Sequence, residues 1–593
     1  MSDKSSDKNS DKNIAILHKV DGWRQESETM LSSYHKRWAK NLKLKFGIFS
    51  DDKQISSKVR NRDKTFFRKI WATEWRLLAS FYNAFLRDKD SYRIEGRDKL
   101  NDWQKAGVLT EMVNYRVDQM ERKDSLFLKH IWAFQDILDH GICFGKMRWV
   151  YTEKQDKPEY ILYPVEQVKP DMSAETVEQM RYCIFDNYLT KEELEEEGYD
   201  NIKDAKPTSM PYDQVKAVRF NIHKTPQNLT DNEYPTPGTI GEEKDKIKKI
   251  YRVSEVFYKE KDKIKFCVLN ENNCVLKPPE DSPYGEKIPL VMGQCFTVAH
   301  RLIGEGIAEP LEGPQESYNY NLNMRKDNVA LALNKQTIVS RYANVDLKSL
   351  VNSRAGGITL ADDPAAIKER EISDVTQSSY MEAAADEAMM NEMSGVTPGK
   401  VGMGNEQKAT VAQINYSESN AKIDLMIAII GETYWKSFYS ILAYLEQRFE
   451  TDEVVIRIAN ENFVDKNEVP ELVAESDFDF DADIVVNIGA GTVGREFEIR
   501  QTMLAIDRAI ISNQATGALV QAGVLQPENA KFINITAMME DLLPKLGKRS
   551  LERYFIKVSP PTEQGKLPSL GASTPTGNSE HNDLQQGGLG PAL

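Results

Sequence analysis

Between residues 301 and 450 the chain sets long helical stretches around one short excursion and one glycine-rich loop, and that order limits the folds open to it. Pro314 is followed by no Gly or Pro until Gly356. Residues 315–340 can therefore form one helix, about 40 Å long at the standard rise per residue. This helix is polar for its length, with Asn319, Asn321, Asn323, Lys326, Asp327 and Asn328. Residues 342–374 are turn-rich: Ser353-Arg354-Ala355-Gly356-Gly357 marks a turn flanked by two candidate strands. Helix returns with the capping-box pattern Ser379-x-x-Glu382, and Gly395 is its stop. A glycine-rich loop covers residues 395–404, and residues 406–449 then hold no proline. There Met426, Ile430, Tyr434, Phe438, Leu442 and Leu445 fall three or four apart, so the expected helix, roughly 60 Å long, has one apolar face. A compact enzyme domain has little use for this order. A subunit standing in a ring, with helices along a shared axis, does.

The flanks read as follows. Residues 1–20 are polar and of low complexity, and are expected to form a disordered tail. Helices are expected over Trp23–Leu42, over the aromatic-rich stretch Thr65–Leu86, and over Gly107–His140, the last stopping at Gly141 and Gly145. Lys146–Tyr151 alternates as a strand should. Residues 155–300 read as mixed β and short helix, with strands near Tyr160–Tyr163, Tyr251–Tyr258 and Lys263–Leu269 and a proline-containing loop or insertion over 203–248. Further on, strands are expected at Glu453–Ile458 and Asp483–Ile488, and helices at Arg495–Ser512 and Glu528–Arg553. Beyond Pro560 the composition is that of a disordered tail.

Charge and cysteines narrow the function. The chain carries a net charge of −14, unlike a basic sequence-reading DNA binder. The charge is uneven: residues 31–100 are basic by about ten and residues 446–483 acidic by about ten, as two solvated surfaces or two faces for unlike partners. Five scattered cysteines with no C-x-x-C pair read as buried free thiols, against a disulfide framework or a zinc site. The N-terminus has no apolar signal-peptide core. The most apolar long run, Ile423–Leu445, carries Asp424, Glu432 and Lys436, so a soluble protein with no membrane partner is expected.

Several motifs imitate enzymes. Gly489-Ala490-Gly491-Thr492-Val493-Gly494 lies between a candidate strand and a helix, the local context of a dinucleotide fingerprint, with Asp507 downstream. A nucleotide- or dinucleotide-binding enzyme built on Gly489–Gly494 is thus one alternative function. The motif lacks the second parallel strand, because residues 513–530 read as helix and loop. Gly402–Thr410 falls short of a P-loop: no glycine precedes Lys408, and Thr410 is one place too far along. Histidines show no metal spacing, and no nucleophile elbow is present. Asp477, Asp479, Asp481 and Asp483 alternate with apolar residues as an exposed strand face would. Neither a catalytic activity nor a cofactor or metal is expected.

Three sets of residues resemble the portal proteins of tailed bacteriophages. Ser394-Gly395-Val396-Thr397-Pro398-Gly399, Lys408-Ala409-Thr410-Val411-Ala412 and Ser419-Asn420-Ala421-Lys422-Ile423-Asp424 resemble the tunnel loop and following long helix. Leu138-Asp139-His140-Gly141 through Cys143-Phe144-Gly145 resembles the wing, where a helix breaks at glycines before the first sheet. Gly304-Glu305-Gly306 through Leu311 and Gln315, with Asn319 and Asn323, resembles the entry to the first stem helix. The likeness runs over about 60–512 and rests on the order of elements.

It implies an α+β, mostly helical portal-type subunit, assembled with others, twelve in most portals, into a ring. The wing would cover 21–300 and 409–520, stem helices 301–341 and 375–395, the clip 342–374 and the tunnel loop 396–408. Crown helices would follow over 521–558 and a disordered tail over 559–593, as in a short-tailed phage. The ring would be the channel at one capsid vertex through which double-stranded DNA is packaged and ejected, without sequence specificity. Implied partners are the major capsid protein, a head-completion or tail adaptor protein and, transiently, the terminase motor, in a virion made in the bacterial cytoplasm. A conduit should hold DNA loosely, since each phosphate contact must break as the duplex advances. Glu382 and Asp386, four apart on one helix face, with Glu392 beyond, would form acidic rings lining the channel. Lys400 and Lys408 would touch the phosphate backbone as flexible point charges. Another ring-forming structural protein of a virion is the second alternative function.

Overall fold

A computed structural model describes residues 3–48, 63–87, 92–97, 102–208, 250–348 and 365–395 with short breaks, then 421–467, 480–486 and 492–521, plus isolated positions at 533–539. The chain divides into two compact units, 1–496 and 497–593. The protein is α+β and mostly helical.

In the first unit, α1 (Asp3–Phe46) replaces the expected tail 1–20. Its Ile16 and Val20 are buried among Tyr182, Ile184, Val256 and Tyr258, which gives the helix an apolar seam that composition alone obscures. The aromatic-rich stretch is α2 (Lys69–Phe81) followed by a π-helical turn, Tyr82–Leu86. The single helix expected over 107–140 is two, α3 (Trp103–Asp124) and α4 (Leu126–His140). They part at Ser125, which takes a left-handed conformation (φ 51°) without a glycine to signal it. Helix α4 buries Leu126, His130, Ala133, Phe134, Ile137 and Leu138, the three-and-four spacing of an apolar stripe, and ends at left-handed Gly141 (φ 77°).

From Gly141 the chain enters β2 (Cys143–Thr152), flanked antiparallel by β3 (Gln155–Tyr163) and β9 (Leu290–Gly293). A second, antiparallel sheet has strand order β4 (Val168–Pro170), β5 (Tyr182–Thr190), β6 (Ile250–Glu260), β7 (Lys263–Asn270) and β8 (Cys274–Asp281). The short helix α5 (Lys191–Glu196) follows β5, opened by a capping box at Thr190. Residues 209–249, most of the expected insertion, lie outside the described residues.

The central region gives α6 (Ala308–Leu333), the short antiparallel strands β10 (Thr337–Val339) and β11 (Ile367–Glu369), and α7 (Thr376–Ser394), which stops at left-handed Gly395 (φ 72°). Pro314 does not open α6 but lies inside it. Ser379 is no cap, since α7 begins earlier; its hydroxyl donates to the Asn321 carbonyl. The turn 353–357 and the loop 396–404 lie outside the described residues.

Of the long helix expected over 406–449, the described part begins at 421: α8 (421–430), a π-helical turn Gly431–Trp435, and α9 (Lys436–Phe449). Ile430, Tyr434, Phe438, Leu442 and Leu445 are buried on it, and Tyr434 hydrogen-bonds Nδ1 of buried His130 (2.8 Å) and the Tyr160 hydroxyl (3.1 Å). Burial holds His130 far below its usual range, at about 3, so it is neutral. Arg116 of α3 ties this helix down by reaching Glu450 and, at 3.6 Å, Glu446. Burial pushes the Glu446 carboxyl well up, against the pull of Arg116. The strand expected at Glu453–Ile458 is instead the start of helix α10 (Glu453–Asn467), whose Val455, Ile456 and Ala459 are buried. β12 (Ala482–Val486) pairs antiparallel with β1 (Tyr92–Gly96). The second unit carries most of α11 (Thr492–Gln521), where Asn513 exchanges two hydrogen bonds with the backbone of Ile533.

Candidate functional site: the central helical hairpin and its root

Two glycine motifs that lie far apart in the sequence meet at the root of α6. The last carbonyls of α4 need donors from outside the helix, and α1 and the segment entering α6 supply them. Ile307 N–H donates to the Leu138 carbonyl (2.7 Å), Asn41 Nδ2 to Asp139 (3.1 Å) and Trp38 Nε1 to His140 (2.8 Å). Contact this close needs glycine. A Cβ on Gly141 would lie 2.6 Å from the Gly304 carbonyl carbon, and one on Gly306 would lie 2.5 Å from the Asp139 carbonyl oxygen. Glu309, in the first turn of α6, accepts from the Gly306 N–H (3.2 Å), from Asn41 (3.3 Å) and from Arg37. Lys40 pairs with Glu312 at 2.6 Å. Part of the basic N-terminal region thus faces carboxylates of the same chain. Close by, Lys45 of α1 bridges Glu74 of α2 (2.8 Å) and Asp139 of α4 (2.6 Å), all three buried. Burial, then the Asp139 charge, push the Glu74 carboxyl up to about 7, with Lys45 opposing.

Above the root, α6 and α7 pair antiparallel. Ser317 and Asn321 donate to Asp386, Asn321 accepts from Ser379, and Arg325 stacks on Tyr380 at 4.1 Å, so partners descend on α7 as they rise on α6. The β10–β11 ribbon continues the hairpin beyond these helices.

A second face of α6 holds residues 63–70 by a ladder of three side-chain amides and one carboxylate. Asp327 accepts from the Asp63 N–H (2.8 Å), Asn323 from Thr65 (2.9 Å), Asn319 from Phe67 (2.9 Å) and Gln315 from Lys69 and Ile70 (3.0 and 3.2 Å). In return Asn323 donates to the Thr65 carbonyl (3.0 Å) and Gln315 to that of Phe67 (2.7 Å). The repeat matches because two residues of extended chain advance about 6.6 Å and four residues of helix about 6.0 Å. Gln315 also satisfies the first free amides of α2. The even spacing of Gln315, Asn319, Asn323 and Asp327 was the available sequence signal, but nothing local names their partner.

The expected channel residues fall in different settings. Glu382 and Glu392 are exposed on α7, while Asp386 is half-buried against α6. Lys400 and Lys408 lie outside the described residues. The strand that leads toward Gly489–Gly494 pairs antiparallel with β1, whereas a dinucleotide unit requires parallel strands. Among the described residues no group of His, Cys, Asp and Glu is placed to hold a metal ion, and no helix is long and apolar enough to cross a membrane. Cys143, Cys183, Cys267 and Cys295 are buried free thiols, and Cys274 is half-buried.

The family model described as Phage SU10 portal protein matches residues 151–574. The chain belongs to that family. It is a tailed-phage portal protein, a structural component of the virion that works in a capsid-associated oligomeric assembly. The match takes in the five-stranded sheet, Gly304 and Gly306 at the root, the central hairpin and the long helix, while α1 to α4, Gly141 and nearly all of β2 precede it. The portal family is structural rather than enzymatic. No curated protein matches the chain.

Proposed function

We propose that this portal protein forms a ring channel at one capsid vertex, through which viral double-stranded DNA is packaged and later ejected. The family match over 151–574 carries this reading, and the antiparallel central hairpin supports it. In this assignment α6 and α7 are the stem pair, residues 342–374 the clip, 396–408 the tunnel loop, 21–300 and 409–520 the wing, and 521–558 the crown. Twelve copies surround the duplex. The terminase motor binds during packaging, the tail adaptor replaces it, and the wing meets the major capsid protein.

The channel wall repels more than it binds. Glu382 and Glu392, exposed on α7, repeat around the ring as acidic belts that keep phosphates from settling. Lys400 and Lys408 provide the few mobile cations that touch the backbone.

Negative-stain electron microscopy of the purified chain tests the ring. End-on class averages are expected to show a central hole wide enough for a duplex, about 20 Å or more across given the groove dimensions of B-DNA. A compact monomer or dimer at every concentration would count against it. For the lysines, Lys400→Glu combined with Lys408→Glu is expected to leave assembly intact and to reduce DNA-filled heads. Normal filling would remove them from the mechanism.

A further inference from the structure

The face of α2 that points away from the core carries aromatic rings that the hairpin and its root do not use. Trp71, Trp75 and Tyr82 lie four and seven residues apart, on one side of the helix, and are 40–49 % exposed. The Trp71 and Trp75 ring centroids are 6.0 Å apart, and Tyr82 meets Phe127 of α4 edge-on at 6.0 Å. Phe127 is 40 % exposed. These four rings, each a little under half exposed, present roughly 350 Å² of aromatic surface, comparable to the largest apolar patch of a typical monomer.

The opposite face of α2 is fully committed. Ile70, Leu77, Leu78 and Phe81 enter the core, Glu74 is held by Lys45, and Gln315 fixes the helix start. The ridge is thus presented on a rigid element. Its rim is basic: residues 64–87 hold Lys64, Arg68, Arg76 and Arg87 against one acid, the buried Glu74, while Lys69 pairs with Glu387 of α7 at 2.8 Å. Arg68 lies over Trp71 at 5.4 Å. The chain as a whole carries −14, so the rest of it is net acidic, opposite in sign to this stripe.

We infer that the Trp71–Trp75–Tyr82–Phe127 ridge is a subunit contact, occupied in the assembly by an acidic surface of a second copy of this chain. The inference rests on the ring reading above and adds where one subunit grips the next. Three observations favour this occupant. Trp, Tyr and Arg are the residues in which interface binding energy concentrates. The patch supplies a little under half of the roughly 800 Å² per partner that a stable interface buries. A closed ring with one subunit type joins unlike surfaces head to tail, so a basic aromatic ridge on an acidic chain is the expected form. The Trp71 and Trp75 planes are tilted 54° to one another, a packed ridge rather than parallel platforms for nucleic-acid bases.

The test uses the full chain in sedimentation velocity across a range of concentrations, with ring formation checked by negative stain. Trp71→Ala with Trp75→Ala is expected to raise the concentration needed for ring assembly by at least about 100-fold. The monomer's circular dichroism should not change. Arg76→Glu removes no packing and is expected to raise that concentration about tenfold. Tyr151→Ala removes an 82 % exposed ring elsewhere and should change nothing. Wild-type rings with both ridge variants assembling equally well would overturn this inference alone, even if those variants lost binding to duplex DNA or phospholipid vesicles. A wild type that never assembles would overturn it together with the ring reading.

Discussion

The body around α4 and the central hairpin of α6 and α7 are both helical, yet they are held by different forces. In the body, α4 buries six apolar or aromatic side chains and α9 presses Phe438, Leu442 and Leu445 onto the same core. In the hairpin, α6 beyond Pro314 buries only Gln315, Asn319 and Asn323, and α7 buries Ala383, Met390 and Ser394. Burial is non-directional and proportional to area, so the body tolerates rearrangement of which apolar group meets which. Amide hydrogen bonds fix register one pair at a time. The hairpin therefore gains a defined position against residues 63–70 with little apolar burial of its own. Tyr320, Met324, Met381 and Met389 remain exposed along it.

The sharpest break of this contrast is at the junction of α1, α2 and α4, where the body does contain charge. Lys45→Met would leave the Glu74 and Asp139 carboxylates buried without their cation, at a cost of about 3–5 kcal/mol. Denaturant unfolding followed by core tryptophan fluorescence measures it. The same site sets a pH dependence. Glu74 rises from an ordinary carboxylate value to about 7 on folding, so between those values the folded chain binds more protons than the unfolded one. Stability is then greatest below about pH 4.5 for this group and falls as pH rises through about 7, with a total change of up to roughly 3 kcal/mol. Glu74→Gln should flatten that slope. An unchanged slope would place the dependence elsewhere.

The next step down falls on the amide ladder. Asn323→Leu removes the Asn323 donor from the Thr65 carbonyl and leaves the Thr65 N–H only the Asp63 carboxylate (3.1 Å), and is expected to cost about 1–3 kcal/mol. The effect should be local: hydrogen exchange speeds up at Thr65, Phe67 and Lys69 while the amides of α4 keep their protection. Equal loss of protection in α4 would mean that hairpin and body unfold as one unit.

How far these regions could be read from sequence follows the same division. Apolar periodicity revealed the long helix, α4 and the strands β2, β6 and β7, because burial leaves a repeating mark. Directional contacts left weaker marks. The left-handed Ser125 gave no glycine signal, so one helix was expected where two exist. The run Glu453-Val454-Val455-Ile456-Arg457-Ile458 looked like a strand because β-branched residues fit a pleated surface. Packing of Val455, Ile456 and Ala459 against the core made it a helix instead. In α1 the seam Ile16–Val20 was hidden by the polar residues before it. The amide ladder was visible only as spacing, since its partner lies some 250 residues away in the chain. The two glycine motifs at the root were legible one by one, but not as neighbours.

The smallest expected effects separate three acids of α7 that the sequence placed together. Asp386 accepts from Ser317 at 3.0 Å and from Asn321 at 3.4 Å, so Asp386→Ala removes contacts that register α7 on α6. A cost of about 0.5–1.5 kcal/mol is expected in thermal or denaturant unfolding. Glu382 and Glu392 are exposed, and changing either to Ala should stay within about 0.5 kcal/mol. If these two substitutions leave the subunit unchanged but alter DNA retention in assembled heads, their role belongs to the ring and not to the monomer. If Glu382→Ala destabilises as much as Asp386→Ala, the three carboxylates act as one structural set, and the acidic belts lose their best candidates.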